Sequence, residues 1–315
     1  MSDLPVTEGH DPRYADIETR SPAAILDALL GNQLAAVASV RPALPAIEAA
    51  AEAAAGRLRT GGRLAYAGAG TSGRIAIQDG AELPPTFDWP RDRLAFLMAG
   101  GNGALVQAVE GAEDDGSGHD AGSLGPQDVL LGVAASGATP YTLGCLVTAR
   151  GNGALTIAIA NSPGLLLAAA DHPILLPTGP EPIAGSTRLG AGTAQKAALN
   201  LFSTLLMMRL GRVYRGQMVD MRASNAKLRG RAIRILCTLE RADPAEAEAA
   251  LLEADGQLKL AVLLLRGLPK IAAMAALADA NGDLNALRLR RSNPGHVRAE
   301  GLADAPWIAS PSGSQ

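Results

Sequence analysis

The sequence predicts an α/β fold: a five-stranded parallel sheet sandwiched by helices, with helices before it and a helical bundle after it. The middle of the 315-residue chain repeats short apolar runs that end near Gly, Ser, Asn or Thr, mostly followed by helix-like segments. Apolar runs bounded by turns and alternating with helices indicate βαβ units and a buried parallel sheet. After Arg188 the pattern changes to long helical periods, which predict a helical C-terminal region.

The chain begins with a polar, turn-rich arm that leads into helices. Ser21 and Pro22 suit the N-cap and the first helical position. Apolar residues at helical spacing then predict two helices up to Arg59, broken near Pro42. We therefore predict an N-terminal arm with helices over residues 1–59.

Five apolar runs predict the strands of a domain spanning residues 60–215. Right-handed crossovers bring the carboxyl ends of parallel strands to one edge, and ligands bind outside that edge. The loops that follow the strands are thus the expected site of a ligand pocket. The five runs are Arg63–Ala67, Leu94–Met98, Val129–Ala134, Leu155–Ala160 and Ile174–Leu176.

Helical periods dominate the remainder of the chain. Ala191–Leu210 and Val219–Glu240 each predict one continuous helix, and Asp243-Pro244 is a favourable start for a bundle of three short helices. These features predict a helical region over residues 216–291. The tail, 292–315, is rich in Pro, Gly and Ser and is predicted to be mobile.

Composition excludes several classes of protein. With 48% hydrophobic and 19% charged residues the chain is not of the disordered class, and its net charge of −3 with dispersed Lys and Arg argues against nucleic-acid binding. Cys145 and Cys237 lack metal-ligand spacing, so no metal site or disulfide is expected. No uninterrupted apolar run approaches the roughly 18–20 residues of a membrane span, and no signal peptide begins the chain. We therefore expect a soluble cytoplasmic protein.

A glycine-rich turn follows the first predicted strand and opens a helix. Glycines there expose successive N–H groups, the helix N-terminus favours an anion, and Thr71 and Ser72 add hydroxyl donors. The spacing of Gly73 from the earlier glycines also fits a dinucleotide fingerprint, but no acid ends the second strand, and a Walker lysine is absent. The turn reads Gly68-Ala69-Gly70-Thr71-Ser72-Gly73-Arg74.

A second polar turn follows the third strand. Ser136, the Gly137 amide and Thr139 can point at one anion, although Thr139-Pro140 is also typical of an ordinary capped βα loop. Apart from Arg74, neither turn contains Lys or Arg. The ligand that these turns favour is therefore a phosphosugar rather than a nucleoside triphosphate.

Two glutamates follow the first two strands and their helices. Glu82 lies in an otherwise uncharged segment and Glu113 in an acidic one. Each alone is typical of a solvated loop carboxylate. If they converge on the pocket, two carboxylates in different environments supply the general acid and base for chemistry at a sugar.

A fourth segment precedes and opens the long helix. Ser186-Thr187 would cap that helix, which is the simplest interpretation. Glu181, Arg188 and Lys196 near the same sheet edge favour a part in ligand binding as well.

Six segments, in order and correctly spaced between about Thr7 and Leu287, resemble the N-acetylmuramic acid 6-phosphate etherases, a bacterial family with a sugar isomerase (SIS) domain. That resemblance implies a flavodoxin-like or Rossmann-like sheet. The segments are Ala67–Arg74, Ala81–Phe87, Val109–Asp114, Ala134–Tyr141, Gly185–Lys196 and Met218–Asp220.

The resemblance implies an activity. Such enzymes cleave the D-lactyl ether of N-acetylmuramate 6-phosphate to N-acetylglucosamine 6-phosphate and D-lactate during cell-wall recycling, as homodimers without metal or cofactor. Glu82 is similar to their proton donor and Glu113 to their second acid–base group. The family commonly has Arg at the position of Ala138 and Lys at that of Gly190, so two positive charges are missing here.

Two other functions remain open at this point. Glucokinase regulators resemble the same family and bind phosphosugars without turnover, and aldose–ketose phosphosugar isomerases share the fold. Retention of both glutamates favours the etherase.

Overall fold

The computed structural model describes residues 5–221 and 225–287. Its internal contacts divide the chain into two compact units, Met1–Met221 and Arg222–Gln315. The N-terminal helices belong to the first unit, together with the sheet. The predicted tail, 292–315, lies outside the described residues.

The first unit contains the predicted five-stranded parallel sheet. Its strand order is β2-β1-β3-β4-β5, so the chain moves to one side of β1 first and then to the other. This is the flavodoxin-like order, whose switch point lies between β1 and β3. Three strands have the predicted bounds, and the other two differ by one or two residues at their ends. The strands are β1 Leu64–Gly68, β2 Leu94–Met98, β3 Val129–Ala134, β4 Leu155–Ala160 and β5 His172–Leu175.

Seven helices accompany the sheet. Ser21 accepts a hydrogen bond from Ala24 N and caps the first helix, as predicted, and a 3₁₀ turn at Arg41–Ala43 separates it from the second. The long helix predicted over 191–210 is also confirmed, within one residue. The helices are α1 Pro22–Ala38, α2 Leu44–Arg59, α3 Gly70–Ala81, α4 Leu83–Phe87, α5 Pro140–Gly151, α6 Leu165–Ala169 and α7 Gly190–Arg209.

Helices cover both faces of the sheet, which explains why the strands are continuously apolar. On one face Tyr66 and Leu131 pack in a cluster with side chains from α2 and α7, among them Ile47 and Phe202. On the other face the alternate strand residues, such as Leu130, pack with α5 and α6. The core is therefore split into two layers by the sheet.

Asp128 joins the start of β1 to the start of β3. Its carboxylate accepts hydrogen bonds from Arg63 N at 2.7 Å, from the Arg63 guanidinium at 2.7 Å and from Gly125 N at 2.9 Å. Burial raises the pKa of Asp128, but the hydrogen bonds from Arg63 and Gly125 outweigh it and hold the pKa below its ordinary value of 3.8. The ionised carboxylate thus stabilises this end of the sheet.

Trp89, buried after α4, lies between two guanidinium groups. Those of Arg93 and Arg212 are 4.4 and 5.3 Å from its ring centroid. Arg212 also donates a hydrogen bond of 2.9 Å to the carbonyl of Phe87. Cation–π contacts of this kind stabilise most where the ring is desolvated, so the cluster fixes the segment between α4 and β2.

A short hairpin that the sequence analysis did not predict precedes the second unit. Strands β6 Val213–Tyr214 and β7 Gln217–Met218 are joined by Arg215 and Gly216, both with positive φ. Two such residues form the type I′ turn that suits a two-residue hairpin. The helix predicted from Val219 to Glu240 begins only at Ala226, with Asn225 as its N-cap, so that prediction is wrong at its beginning.

In its described residues, 225–287, the second unit is a bundle of four helices. Asn225 caps the first, and Asp243 with Glu246 forms a capping box at the second. The three short helices predicted after Glu240 are confirmed, and a buried ion pair of 2.5 Å joins Glu240 to Arg266. The helices are α8 Ala226–Glu240, α9 Pro244–Glu253, α10 Leu258–Leu265 and α11 Lys270–Asp279.

The N-terminal helical stretch, Pro22–Arg59, is more apolar over its length than the sequence analysis expected. Pro22–Arg59 is long and apolar enough to cross a membrane by length and composition, and only 17% of its most apolar window is buried. Asp27 and Asn32 interrupt its apolar residues, so no uninterrupted apolar run is long. Core helices of soluble proteins can be equally long and apolar, and α2 lies in the core.

The apolarity of this stretch is concentrated on one side of α1. Four of its side chains recur at helical spacing and are 50–68% exposed, although all are large and hydrophobic. We call this set, Leu26, Leu30, Leu34 and Val37, the α1 stripe.

Candidate active site

The first glycine turn depends on two backbones that approach closely. A Cβ atom on Gly68 would lie 2.6 Å from the Cα of Gly73, so β1 and α3 meet only because neither residue has a side chain. Thr71, Ser72 and Gly73 accordingly form the first turn of α3, at the carboxyl end of β1. This is the position at which helix N–H groups bind anions.

The guanidinium of Arg74, the positive charge of this turn, is hydrogen-bonded to the backbone of another segment. Its Nε donates to the carbonyl oxygens of Ala104 and Leu105 at 3.0 and 3.2 Å. Arg74 therefore fastens α3 to the turn after β2. Hydroxyl and amide groups are left as the donors of the glycine turn.

The second turn brings its predicted residues together. Ser136 Oγ lies 3.4 Å from Thr139 Oγ1 and accepts a hydrogen bond from Ala138 N. Gly137 has φ of 72°, and a Cβ atom there would lie 2.5 Å from the carbonyl oxygen of Ser162. The turn thus packs closely on the loop after β4.

Ser162 is a polar residue of this region that sequence reasoning missed. It is buried, and its Oγ has no hydrogen-bond partner among the described residues. The polar pair Asn161-Ser162 directly after an apolar strand is the signal that would have found it.

Glu181 is almost fully buried and holds the start of α7. Its two carboxylate oxygens accept hydrogen bonds from Gly190 N and Ala191 N, both at 2.8 Å. Burial raises the pKa of Glu181, while these two hydrogen bonds oppose that rise. The expectation that Ser186-Thr187 caps the long helix is wrong, because the helix starts later and a distant carboxylate satisfies its first amides.

Ser186 and Thr187 lie in the loop that Glu181 fastens. The carbonyl oxygen of Ser186 accepts from Leu189 N and that of Thr187 from Gly192 N. Both residues are partly exposed before the first turn of α7.

The two positions at which the family commonly has a positive charge, 138 and 190, lie in different environments. A Cβ atom on Gly190 would lie 2.9 Å from Asn32 Oδ1 and 3.1 Å from Glu181 Oε2, so a side chain there points at the Glu181 carboxylate. Asn32 is buried and its Oδ1 has no hydrogen-bond partner among the described residues. Ala138 is exposed within the second turn. Of the two positions, 138 is the one beside the proposed anion donors.

Glu82 borders a small cleft between α3 and α7. It is exposed, and it follows the last residue of α3. The cleft is small, with a cavity volume of about 40 Å³. Across it, the Lys196 ammonium donates a 3.1 Å hydrogen bond to Asn200 Oδ1. The lining residues are Ile75, Gln78, Asp79, Glu82, Lys196, Leu199 and Asn200.

A buried carboxylate supports this cleft from behind. Asp79 is 6% exposed and accepts hydrogen bonds from Asn200 Nδ2 at 2.7 Å, Ser203 Oγ at 3.0 Å and the Tyr66 hydroxyl at 3.2 Å. Burial raises the pKa of Asp79, although these hydrogen bonds and the charge of Lys196 oppose the rise. Sequence reasoning missed Asp79, whose signal is an acid on the buried side of an apolar helix.

Glu113 lies in a 3₁₀ turn, Ala112–Asp114, and is exposed. Three residues later, a Cβ atom on Gly116 would lie 3.7 Å from Pro140, the first residue of α5. Glu113 is therefore on the side of the second turn. No three His, Cys, Asp or Glu side chains of residues 5–221 and 225–287 are grouped as metal ligands would be.

The structure does not gather all the predicted residues in one pocket of a single chain. Thr71–Gly73 begin α3, whereas Glu82 follows its end, and a 12-residue helix is about 18 Å long. Glu82 and Lys196 share one cleft, while the two polar turns and Glu113 lie towards the carboxyl edge of the sheet.

Comparisons with known proteins give the following matches. Residues 46–150 match the family described as glucokinase regulatory protein N-terminal SIS domain. An N-acetylmuramic acid 6-phosphate etherase of Deinococcus radiodurans is 51% identical over 288 residues, 90% of this chain and 94% of that protein. One of Streptomyces avermitilis is 44% identical over 305 residues, 95% and 94% of the two chains. The solved phosphoheptose isomerase of Francisella tularensis superposes with a TM-score of 0.43 at 22% identity, over 60% of this chain and 98% of that one.

Proposed function

The chain belongs to the N-acetylmuramic acid 6-phosphate etherase family, and we propose that Glu82 and Glu113 perform its acid–base chemistry. The enzyme is a carbon–oxygen lyase that converts N-acetylmuramate 6-phosphate to N-acetylglucosamine 6-phosphate and D-lactate. The observation that carries this conclusion is 51% identity to an etherase over 90% of the chain.

The reaction requires one base and one acid. Opening of the sugar ring gives the aldehyde, which acidifies the proton on C2. A carboxylate removes that proton, the C3–oxygen bond breaks, and a carboxyl group protonates the departing ether oxygen of lactate. Water then adds at C3 of the unsaturated aldehyde. Each proton transfer typically contributes roughly 10²–10⁴-fold to the rate.

We assign the acid to Glu82 and the base to Glu113. The sequence around Glu82 is similar to that of the family's proton donor, and the sequence around Glu113 to that of its second acid–base group. In the structure Glu82 borders the cleft between α3 and α7, whereas Glu113 lies on the side of the second turn. These different surroundings support different roles for the two groups.

The phosphosugar is proposed to lie on the two polar turns. Thr71, Ser72 and Gly73 offer hydroxyl and amide donors at a helix N-terminus, and the second turn, with Ser136, Gly137 and Thr139, adds its own. These neutral donors position the phosphate without a metal or cofactor. Glu181 is proposed to act indirectly, by fixing the loop that carries Ser186 and Thr187. Lys196 is proposed to contact the substrate directly.

We further propose that the enzyme is a cytoplasmic homodimer of amino-sugar catabolism in cell-wall recycling. The α1 stripe, and Leu201 and Met208 of α7, are exposed apolar side chains that a second copy would cover. Contact through α1 and α7 also brings the helix of Lys196 to the interface. The separation of Glu82 from the polar turns supports a site completed by the partner.

Release of D-lactate tests the activity. The protein is incubated with N-acetylmuramate 6-phosphate, and D-lactate is measured with a D-lactate-specific assay, the Glu82→Gln, Glu113→Gln double variant serving as the control. Folded wild-type protein that yields no D-lactate would contradict the proposal. A ketose product without lactate would instead indicate an isomerase, and binding without turnover a regulator.

Exchange of the C2 proton with deuterium separates the two glutamates. Glu82→Gln is expected to lose lactate release but to keep C2 exchange, because deprotonation precedes departure of the leaving group. Glu113→Gln is expected to lose both, since the base is gone. Mass spectrometry of the recovered substrate in deuterium oxide measures the exchange. The reverse pattern would exchange the roles, and full activity in either variant would remove that residue from the mechanism.

A further inference from the structure

The cleft at Glu82 is too small to hold the whole substrate. Its cavity volume of about 40 Å³ lies far below the roughly 300–1,000 Å³ of sites that enclose drug-sized ligands. It therefore suits one substituent of a larger molecule. The phosphate is already assigned to the polar turns, so another group of the substrate is the candidate occupant.

The chemistry of the cleft matches a short hydroxy acid. Lys196 supplies one positive charge, and its ammonium donates to the neutral amide of Asn200 rather than forming a salt bridge with a carboxylate of the described residues. Ile75 and Leu199 supply apolar surface, and Glu82 supplies a carboxyl group. In the lactyl group, a carboxylate, a methyl group and the ether oxygen are all attached to one carbon atom, so their three partners must lie within one small space.

We propose that this cleft is the lactyl subsite: the Lys196 ammonium pairs with the lactyl carboxylate, the methyl group contacts Ile75 and Leu199, and Glu82 reaches the ether oxygen. The proposal rests on the proposed function, because it presumes the lactyl ether as substrate. It explains how the proton donor is aligned with the leaving oxygen, since the carboxylate one carbon away is fixed by charge.

Asp79 acts here as a positioning residue. Because Asn200 Nδ2 donates to Asp79 at 2.7 Å, the Oδ1 of the same amide must turn away and accept from Lys196. A flexible lysine is thereby held at the cleft. In Asp79→Asn the new amide offers Asn200 a weaker acceptor or a competing donor, so the Lys196 ammonium loses its fixed place.

Selectivity for the lactyl carboxylate tests the subsite. Wild type, Lys196→Met and Lys196→Arg are compared on N-acetylmuramate 6-phosphate and on its lactamide analogue, which lacks the negative charge. Wild type is expected to prefer the carboxylate in kcat/KM by about tenfold or more. Lys196→Met should abolish the preference and Lys196→Arg retain most of it. Asp79→Asn should reduce the preference in the same direction, while Lys270→Met in the second unit should leave it unchanged.

Inhibition by the sugar product separates the subsite from a phosphate site. N-acetylglucosamine 6-phosphate lacks the lactyl group, so its inhibition constant should be the same in wild type and Lys196→Met. Equal loss of kcat/KM on both substrates, or a weakened inhibition by the sugar product, would overturn the lactyl assignment. Failure of the proposed function is distinguishable, because wild type would then release no D-lactate at all.

Discussion

At the scale of single residues, position 190 shows how neighbouring side chains fill the space beside a glycine. The space beside its Cα is filled by Asn32 of α1 and by the Glu181 carboxylate, so the start of α7 is closed by neighbouring side chains. A charge restored there would meet Glu181 rather than a phosphate. The absence of Lys at 190 therefore does not by itself predict weak substrate binding.

Adding a methyl group at this position should destabilise the protein. In Gly190→Ala the Cβ atom would lie 2.9 Å from Asn32 Oδ1, so side chains must shift, at a cost of about 1–3 kcal/mol for overpacking. Urea denaturation measures the change in the free energy of unfolding. The same substitution in an Asn32→Ala background should cost less; an equal cost in both backgrounds would mean that Asn32 is not the obstacle.

Restoring charge at 138 should instead affect binding. Ala138 is exposed beside Ser136, so Ala138→Arg should lower KM with little change in kcat, because ground state and transition state share the phosphate contact. Steady-state kinetics on N-acetylmuramate 6-phosphate measure both constants. Ala138→Gln is the uncharged control, and an unchanged KM in the Arg variant would place position 138 away from the ligand.

At the scale of elements, Asp128 links two neighbouring strands through an ionised carboxylate. Its lowered pKa means that the ionised form stabilises the fold above pH 3.8 and that this contribution is lost as pH falls through the native pKa. Asp128→Asn should therefore lower the free energy of unfolding by about 1–3 kcal/mol at pH 7. The difference from wild type should shrink towards pH 3 in urea denaturation; a difference independent of pH would contradict the role of the charge.

The elements also show what the sequence could predict. The strands and the long helices were predicted closely, because burial on both faces leaves continuous apolar runs and helical periods that are visible locally. The hairpin at Arg215-Gly216 was missed because its strands have two residues each. Hydrogen bonds between separate segments could not be predicted from local patterns. Glu181 accepts from the first amide of a helix that starts nine residues later, and Asp79 accepts from Asn200 on another helix.

The sequence predicted a set of candidate site residues, but not how they are arranged in space. The glycine turn and the serine turn formed as expected, because each is local to one strand end. Glu82 was expected beside them, yet α3 carries it about 15 Å away. Its cleft depends on α7, whose approach to α3 is a property of tertiary packing.

At the scale of the whole molecule, the α1 stripe predicts how copies associate. Leu34→Glu places a charge in its middle and should shift the protein from dimer to monomer, because a buried unpaired charge strongly disfavours association. Sedimentation at micromolar concentration measures the mass. Leu252→Glu, at an exposed leucine of the second unit, is the matched control, and a wild-type monomer under these conditions would contradict the homodimer.

Trp89 gives the molecule a spectroscopic probe of one of its two units. The chain has one other tryptophan, Trp307, which lies outside the described residues. Trp307→Phe would leave a single indole, held between Arg93 and Arg212 in the sheet-containing unit. Its fluorescence would follow that unit alone, whereas helical circular dichroism follows both. Two unfolding curves that separate would show that the bundle and the sheet unfold independently; coincident curves would show one cooperative transition.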